Sequence, residues 1–447
     1  MNYKNKKVLV CGMGKSGSAA AYLLLRHGAQ VTLQDLKKEP AVEKRLLENK
    51  SISTYFGQNP DKIVKDFDII VLSPGISVDL PFVRLAENAG VRVIGEIELA
   101  SSVCKAPILA ITGTNGKTTT TTILGEIMKS FSAGSKVAGN IGIAFCGVAD
   151  SVSDDAYIVA EISSFQLETI KHFRPKISAV LNMTPDHLNR HKTMEGYVAA
   201  KERIFENQNA EDFCVLNYNN EYTRKMAAKT KAKTVFFSKG LLDEGVFVKD
   251  NFVWVKFCKH NVAVIALNEL PIPGEHNLEN VLAATAMAVC AGVPADVIAG
   301  SVRSFKAVEH RMEFVREVSG VTFYNDSKAT NTDSAIMGLN AVNRPVILIG
   351  GGQDKGLCYD EWVAQFEGKV KTFIIIGEAG CKLEETCRKF NFTAFKKACT
   401  MKDAVHLACK EASEGDCVLL SPACASFDMF DDYEHRGQVF KELVMAL

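Results

Sequence analysis

The apolar run "APILAIT" at residues 106–112 breaks into "GTNGKTTTT" at 113–121, and few chain geometries accept that change. A short apolar run reads as a buried parallel strand, the glycines as a tight turn and the threonines as the start of a helix. Backbone amides in such a turn, with the helix dipole behind them, surround an anion, and phosphate is the one this spacing suits. Gly113, Gly116, Lys117 and Thr118 fit a phosphate loop, except that Ile111 stands where the common loop has its first glycine. Lys117 would neutralise charge on a transferring phosphoryl group, and the Thr118 hydroxyl would bind magnesium. The plainer alternative is a glycine-rich turn carrying a solvated lysine.

The same alternation of apolar runs and amphipathic stretches recurs along the chain, which is the pattern of stacked β-α units. "KKVLVCG", "QVTLQD", "DIIVLSPG" and "VRVIGE" are strand candidates in the first hundred residues. "APILAITG", "AYIVAEIS", "ISAVLNM" and "DFCVLNY" follow in the middle, then "PVILIGGG", "TFIIIGEAG" and "DCVLLSPA" towards the end. Three parallel-sheet domains are expected, with boundaries near Gly95 and Ala307: residues 1–95, 96–307 and 308–447. "HRMEFVREVSGVTFYNDS" alternates on either side of Ser-Gly, predicting a β-hairpin that delivers "NDSKATN" to its far end. At 447 residues two to four domains are expected, and Lys plus Arg equals Asp plus Glu at 52 each, so no global field draws nucleic acid or an anionic membrane. The 13 cysteines form no C-x-x-C pair, which reads as reduced thiols rather than a zinc ribbon or a disulfide framework. No run approaches the roughly 18–20 apolar residues of a membrane span, and no export signal is visible, so a cytoplasmic protein is expected.

Gly12, Gly14 and Gly17 form G-x-G-x-x-G after the first strand, and Asp35 ends the second, where a dinucleotide fold places its ribose acid. Nicotinamide dinucleotide, another diphosphate and plain tight packing all satisfy that pattern. Glu161 closes "AYIVAE" at a strand's C-terminal end, as a magnesium ligand or as an acid capping the helix of "SSFQLE". Asp186 and His187 follow "ISAVLNM", and the spacing of His187 and His191 resembles a zinc helix, but Leu188 stands where that motif needs glutamate. His191 is expected to hydrogen-bond within its loop. Lys201 falls on the apolar stripe of Met194, Tyr197, Val198, Ile204 and Phe205. It either snorkels to water or is a desolvated, modifiable amine. Asn277 and Asn280 share a helix face, as a cap or as partners of an adenine edge. His310, Arg311, Asp326, Lys328 and Lys355 cluster charge at strand ends, where an anionic substrate would bind.

Together these motifs resemble the Mur ligase family, ATP-dependent enzymes that add amino acids to a peptidoglycan precursor. "TGTNGKTT", "GNIG", "EISSFQLE", "DHLNRH", "YVAAKERIF", "GEHNLENVLAA", "HRME" and "NDSKATN" occur in the family's order over the whole chain. "GMGKSG", "LSPGIS", "GEIELA" and "LLSPACASFDMFDDYEHRG" are similar to members that add D-glutamate. The resemblance implies an N-terminal Rossmann-like domain, a central mononucleotide-binding parallel sheet and a C-terminal Rossmann-like α/β domain. It implies ATP at Gly113, Thr114, Asn115, Gly116, Lys117, Thr118 and Thr119, with Asn277, Asn280, Arg311 and Asp326. Two magnesium ions would be served by Thr118, Glu161, His187 and Lys201, the last as a carbamate formed from carbon dioxide. Gly14, Lys15, Ser16, Asp35, Leu36, Ser73, Pro74 and Gly75 would hold the uridine diphosphate sugar, with Asn140 and His187. Leu36 and Lys37 depart from the Thr and Arg that some members carry there. Lys328, Thr330, Lys355, Ser426 and Phe427 match positions that hold D-glutamate.

The reaction so implied joins D-glutamate to UDP-N-acetylmuramoyl-L-alanine through an acyl phosphate, in a cytoplasmic monomer that binds no nucleic acid and inserts in no membrane. Lys117, Glu161, His187 and Lys201 would be its catalytic residues. Three rivals stand against it. A folylpolyglutamate synthase shares the phosphate loop and lysine motif but lacks a comparable glycine-rich first domain. An NAD-dependent oxidoreductase leaves the loop at Lys117 unexplained, and a non-enzymatic ATP-binding regulator needs no amino-acid pocket.

Overall fold

The structure is a computed structural model, and it describes residues 2–40, 42–257, 260–272, 274–306 and 309–447. The expected boundary at Ala307 lies outside the described residues. Among the described residues twenty strands form three sheets. In the first, β1 (Lys7–Cys11), β2 (Gln30–Asp35), β3 (Ile52–Phe56), β4 (Ile69–Leu72) and β5 (Arg92–Gly95) lie in the order β3-β2-β1-β4-β5, all parallel. The second sheet contains β6 (Ile108–Thr112), β7 (Lys136–Gly139), β8 (Ile158–Glu161), β9 (Ile177–Val180), β10 (Phe213–Asn217) and β11 (Lys233–Ser238). It continues through β12 (Gly245–Lys249), β13 (Phe252–Phe257) and β14 (His260–Ala266), in the order β14-β13-β12-β11-β10-β9-β6-β8-β7. The third contains β15 (Glu313–Val318), β16 (Val321–Asn325), β17 (Val346–Gly351), β18 (Val370–Ile376), β19 (Phe395–Lys397) and β20 (Cys417–Leu420), in the order β15-β16-β20-β17-β18-β19.

The sheets are mostly parallel, as expected, with antiparallel pairs at one side of the second and of the third. β12, β13 and β14 run antiparallel to one another, and β15 runs antiparallel to β16. The physical reason is connection length: strands joined by two residues can only turn back on themselves. Asp250 and Asn251 make such a turn between β12 and β13 with φ of 49° and 60°. Ser319 and Gly320 make another between β15 and β16 with φ of 49° and 75°, the hairpin the alternating pattern predicts.

The continuous apolar runs have a packing cause. In the third sheet Val346, Leu348, Phe373, Ile375 and Leu419 enter one buried cluster, while Ile347, Ile349, Ile374, Ile376 and Leu420 enter another. Alternate residues therefore supply two cores on opposite faces, which is why these runs are apolar at consecutive positions.

The chain forms two compact units. One holds residues 1–183, 195–270 and 278–305, with the first two sheets; the other holds 184–194, 271–277 and 306–447, with the third. Within the first unit, the helix Glu96–Ser101 leaves β5 and sends two acids into the neighbouring lobe. Glu98 accepts backbone N–H groups of Lys171, His172 and Phe173 at 2.9–3.0 Å, and Glu96 accepts that of Cys146 at 2.6 Å. Arg26 adds a two-pronged pair with Asp150 at 2.8 and 2.9 Å. Among the described residues no helix is long and apolar enough to cross a membrane.

Candidate functional site

In an open α/β sheet the ligand crevice lies outside the strands' carboxyl ends, where the chain switches direction. In the second sheet that point is β6, flanked by β8 and β9. The loop after β6 needs its glycines: Gly113 has φ of 146° and Gly116 φ of 82°, and a Cβ on Gly116 would overlap the Asn280 side-chain oxygen. The loop is braced from β9. Asn182 accepts the Asn115 N–H on Oδ1 at 2.8 Å and donates Nδ2 to the Asn115 carbonyl at 3.0 Å, while its own carbonyl accepts the Thr114 N–H at 3.0 Å. Asn182 was not among the residues singled out from the sequence. The only signal for it is a polar residue directly after an apolar strand.

The helix Lys117–Phe131 follows, with Thr118, Thr119, Thr120 and Thr121 buried. Lys117 Nζ donates to the Gly113 and Thr114 carbonyls at 2.8 and 2.6 Å, so its ammonium lies over the loop. Thr118 Oγ1 donates to Glu161 Oε2 at 2.8 Å, and Asn140 Nδ2 donates to Glu161 Oε1 at 3.0 Å. Glu161 is therefore no helix cap. Ser163 caps that short helix in a reciprocal arrangement with Gln166.

Lys201 does not snorkel: it is 1% exposed, donates Nζ to the Gly113 carbonyl at 2.9 Å and Thr112 Oγ1 at 3.2 Å, and lies 4.9 Å from the Tyr197 ring centroid. Asn280 is buried and its Oδ1 accepts from Thr120 Oγ1 at 3.2 Å. Asn277 is buried inside the helix Glu275–Cys290 rather than capping it. Among the described residues no cluster of three or more His, Cys, Asp or Glu is built to hold a metal alone. The oxygens of Thr118 and Glu161, 2.8 Å apart at a phosphate-type loop, do fit a magnesium ion that takes its remaining ligands from phosphate and water.

In the first sheet, Gly12 has φ of 86°, and a Cβ on Gly17 would overlap the Gly12 carbonyl. Ser73 Oγ donates to that carbonyl at 2.8 Å. Asp35 accepts the N–H groups of Met13 and Lys37 at 2.9 Å each, so its carboxylate shapes the turn. The helix Lys15–Arg26 starts at Gly14 with no side-chain cap, with Lys15 and Gly75 exposed around it and Ser16, Ser73 and Pro74 half-buried. Leu36 is 69% exposed.

The second unit gathers its residues at the ends of β16, β17 and β20. Asp326 is fully buried; burial pushes its carboxyl up to about 6 against the pull of Arg311, whose Nη1 lies 3.9 Å away. Ser421 Oγ donates to Asp326 at 2.8 Å. Lys328 donates to Tyr433 Oη at 2.8 Å, and Thr330 is half-buried beside it. Lys355 donates to Asp186 Oδ1 at 3.2 Å, which brings the segment of His187 to the loop after β17. Ser426 is buried and Phe427 is 67% exposed. Arg436, fully buried, joins two loops by donating to Ser327 and to the Cys424 and Ala425 carbonyls; burial pulls it down to about 10. His187 itself has φ of 54° and starts the helix Leu188–His191.

A phosphate-type loop at the carboxyl end of β6 and charged side chains at the carboxyl ends of β16 and β17 are the marks of an α/β protein of the nucleotide-binding class. Comparison with known proteins narrows the class. Residues 6–95 match the family model described as Mur ligase MurD-like, N-terminal domain; 111–288 match Mur ligase middle domain; 310–424 match Mur ligase, glutamate ligase domain. A UDP-N-acetylmuramoylalanine--D-glutamate ligase of Thermoanaerobacter sp. (strain X514) is 47% identical over all of both chains. A relative of the same description from Lachnospira eligens is 45% identical, again over all of both. Among solved structures, UDP-N-acetylmuramate-alanine ligase from Thermotoga maritima shares the fold with a TM-score of 0.63 at 17% identity, covering 99% of this chain and 100% of that one. A pseudomurein peptide ligase type C from Methanothermus fervidus does so at 0.62 and 18%, with the same coverage. The chain belongs to the Mur ligase family.

Proposed function

We propose that this chain is an ATP-dependent ligase that joins the amine of D-glutamate to the terminal carboxylate of UDP-N-acetylmuramoyl-L-alanine. The observation that carries the reading is full-length similarity, at 47% identity, to a relative described by that activity. The arrangement of Lys117, Thr118 and Glu161 supports it. We take residues 1–95 as the sugar-nucleotide region, 96–307 as the ATP region and 308–447 as the amino-acid region.

The chemistry sets the order of events. A carboxylate is a poor electrophile and an amide does not form from it unaided in water. Transfer of the γ-phosphoryl group to the L-alanine carboxylate makes an acyl phosphate, the amine attacks its carbonyl carbon, and phosphate leaves from the tetrahedral intermediate. The residues act by positioning and charge compensation, and no covalent enzyme nucleophile is needed. Lys117 would turn from the loop carbonyls to the phosphoryl oxygens. Magnesium would be held by Thr118 and Glu161, and when bound it neutralises charge on the phosphates. Lys201 as a carbamate and His187 are our candidates for a second ion. Asn277, Asn280, Arg311 and Asp326 are assigned to ATP; Gly14 to Ser16, Asp35, Leu36, Ser73 to Gly75 and Asn140 to the sugar nucleotide; and Lys328, Thr330, Lys355, Ser426 and Phe427 to D-glutamate. On this reading the protein is a cytoplasmic monomer.

Phosphate release from ATP tests the whole proposal. Release that needs both UDP-N-acetylmuramoyl-L-alanine and D-glutamate is expected. ATP binding with no phosphate release in the presence of both substrates points to a regulator, and hydride exchange with a nicotinamide dinucleotide points to an oxidoreductase.

A further inference from the structure

One carboxylate in the second unit is used more heavily than any reading of the motifs required. The Asp186 side chain is 6% exposed. Its Oδ1 accepts the His187 N–H at 2.8 Å and Lys355 Nζ at 3.2 Å; its Oδ2 accepts Asn331 Nδ2 at 3.1 Å and lies 3.5 Å from His187 Nε2. These partners come from three separate segments: the turn after β9, the loop after β16 and the loop after β17.

One of these partners is fixed on its far side. Asn331 caps the helix Thr332–Asn340 by accepting the Ser334 N–H on Oδ1 at 2.8 Å, so its amide can offer only Nδ2 to Asp186. Among the described residues Lys355 has no such anchor in its own loop, where Gly351, Gly352 and Gly356 have φ of 111°, 134° and 75°. A lysine there carries roughly 2 kcal/mol of rotamer entropy. Its side chain is 13% exposed, so its charge also needs an anion nearby whether or not substrate is bound.

We propose that Asp186 is a positioning residue for the acidic amino acid: its buried carboxylate, clamped by Asn331 and the His187 N–H, holds the Lys355 ammonium ready for the substrate's carboxylate. Before substrate arrives Asp186 compensates Lys355. With substrate bound, the ammonium bridges two carboxylates and neither it nor its loop has to be reordered. This rests on the assignment of Lys355 to D-glutamate.

The test is the steady-state KM of each substrate in Asp186→Asn, which keeps the shape and removes the charge. A rise of about tenfold or more in KM for D-glutamate is expected, with KM for ATP and for the sugar nucleotide within about twofold of wild type, since tenfold is the effect of one modest charge-assisted contact. Asp186→Glu should recover part of the loss. Asn331→Ser keeps a capping oxygen and deletes only the donor to Asp186; it should raise KM for D-glutamate by about threefold at an unchanged melting temperature. Asn331→Ser decides the matter if Asp186→Asn does not fold. An unchanged KM for D-glutamate in the folded variants, or equal rises for all three substrates, overturns the proposal. A wild-type enzyme that does not consume D-glutamate instead overturns the functional reading beneath it.

Discussion

Lys117 is held by the carbonyls of the loop it serves, 2.8 Å from Gly113 and 2.6 Å from Thr114, and so it is pre-placed over a phosphate that the same loop would cradle. Lys117→Ala is expected to lower turnover by about 10²- to 10³-fold, the usual cost of deleting one preorganised electrostatic contact, while leaving sugar-nucleotide binding nearly intact. Titrating the variant with the sugar nucleotide and measuring phosphate release checks both halves. Lys201 is buried, with a hydroxyl, a carbonyl and an aromatic ring around its ammonium. Lys201→Ala should lose most activity and regain part of it with a small added carboxylate; a fully active variant would end the carbamate assignment. The placing of Lys117, Thr118 and Glu161 around one loop was legible in the sequence because a glycine-rich turn after an apolar strand and an acid closing another strand are local patterns. Asn182 was not, and Asp186 was legible only as an acid after a strand, without its partners. Asn182 reaches the loop only because β6 and β9 are neighbours, with Thr112 opposite Val180, a fact that no local pattern carries.

At the scale of elements, the helix Glu96–Ser101 is the joint between the first two sheets, and one of its acids titrates. Glu96 is 2% exposed, and its second oxygen has no hydrogen-bond partner among the described residues. Burial pushes its carboxyl up from the ordinary 4.5 to about 7. The folded state then holds a proton that the unfolded chain releases, so this group lowers stability as pH rises from 4.5 towards about 7. The loss reaches at most about 3 kcal/mol above that range. Glu96→Gln removes it, so urea unfolding should show the variant gaining on wild type between pH 5 and 8; a pH-independent gap would show that Glu96 titrates normally.

The elements that sequence patterning named are those with uninterrupted apolar runs. β3, β7, β11 to β14 and β19 were missed. β3 and β19 are partly exposed edge strands, and β12 to β14 close one side of the second sheet with mixed burial, so their residues follow no continuous run. The β15–β16 hairpin was legible because its Ser-Gly turn and alternation agree.

At the scale of the molecule, each sheet repeats one device: glycines at the carboxyl ends of central strands let loops carry the charged groups. Gly12, Gly113 and Gly351 all have positive φ at such ends. The three-sheet plan followed from the order of the runs, whereas the grouping of residues 184–194 with the third sheet depends on contacts between distant segments and could not be read locally. The central claim is that ATP activates a carboxylate rather than merely accompanying condensation. It is tested most directly with UDP-N-acetylmuramoyl-L-alanine carrying ¹⁸O in both oxygens of its terminal carboxylate, in the presence of ATP and D-glutamate, with mass analysis of the phosphate released. One ¹⁸O in each phosphate and one retained in the amide are expected. Phosphate free of ¹⁸O would contradict that claim.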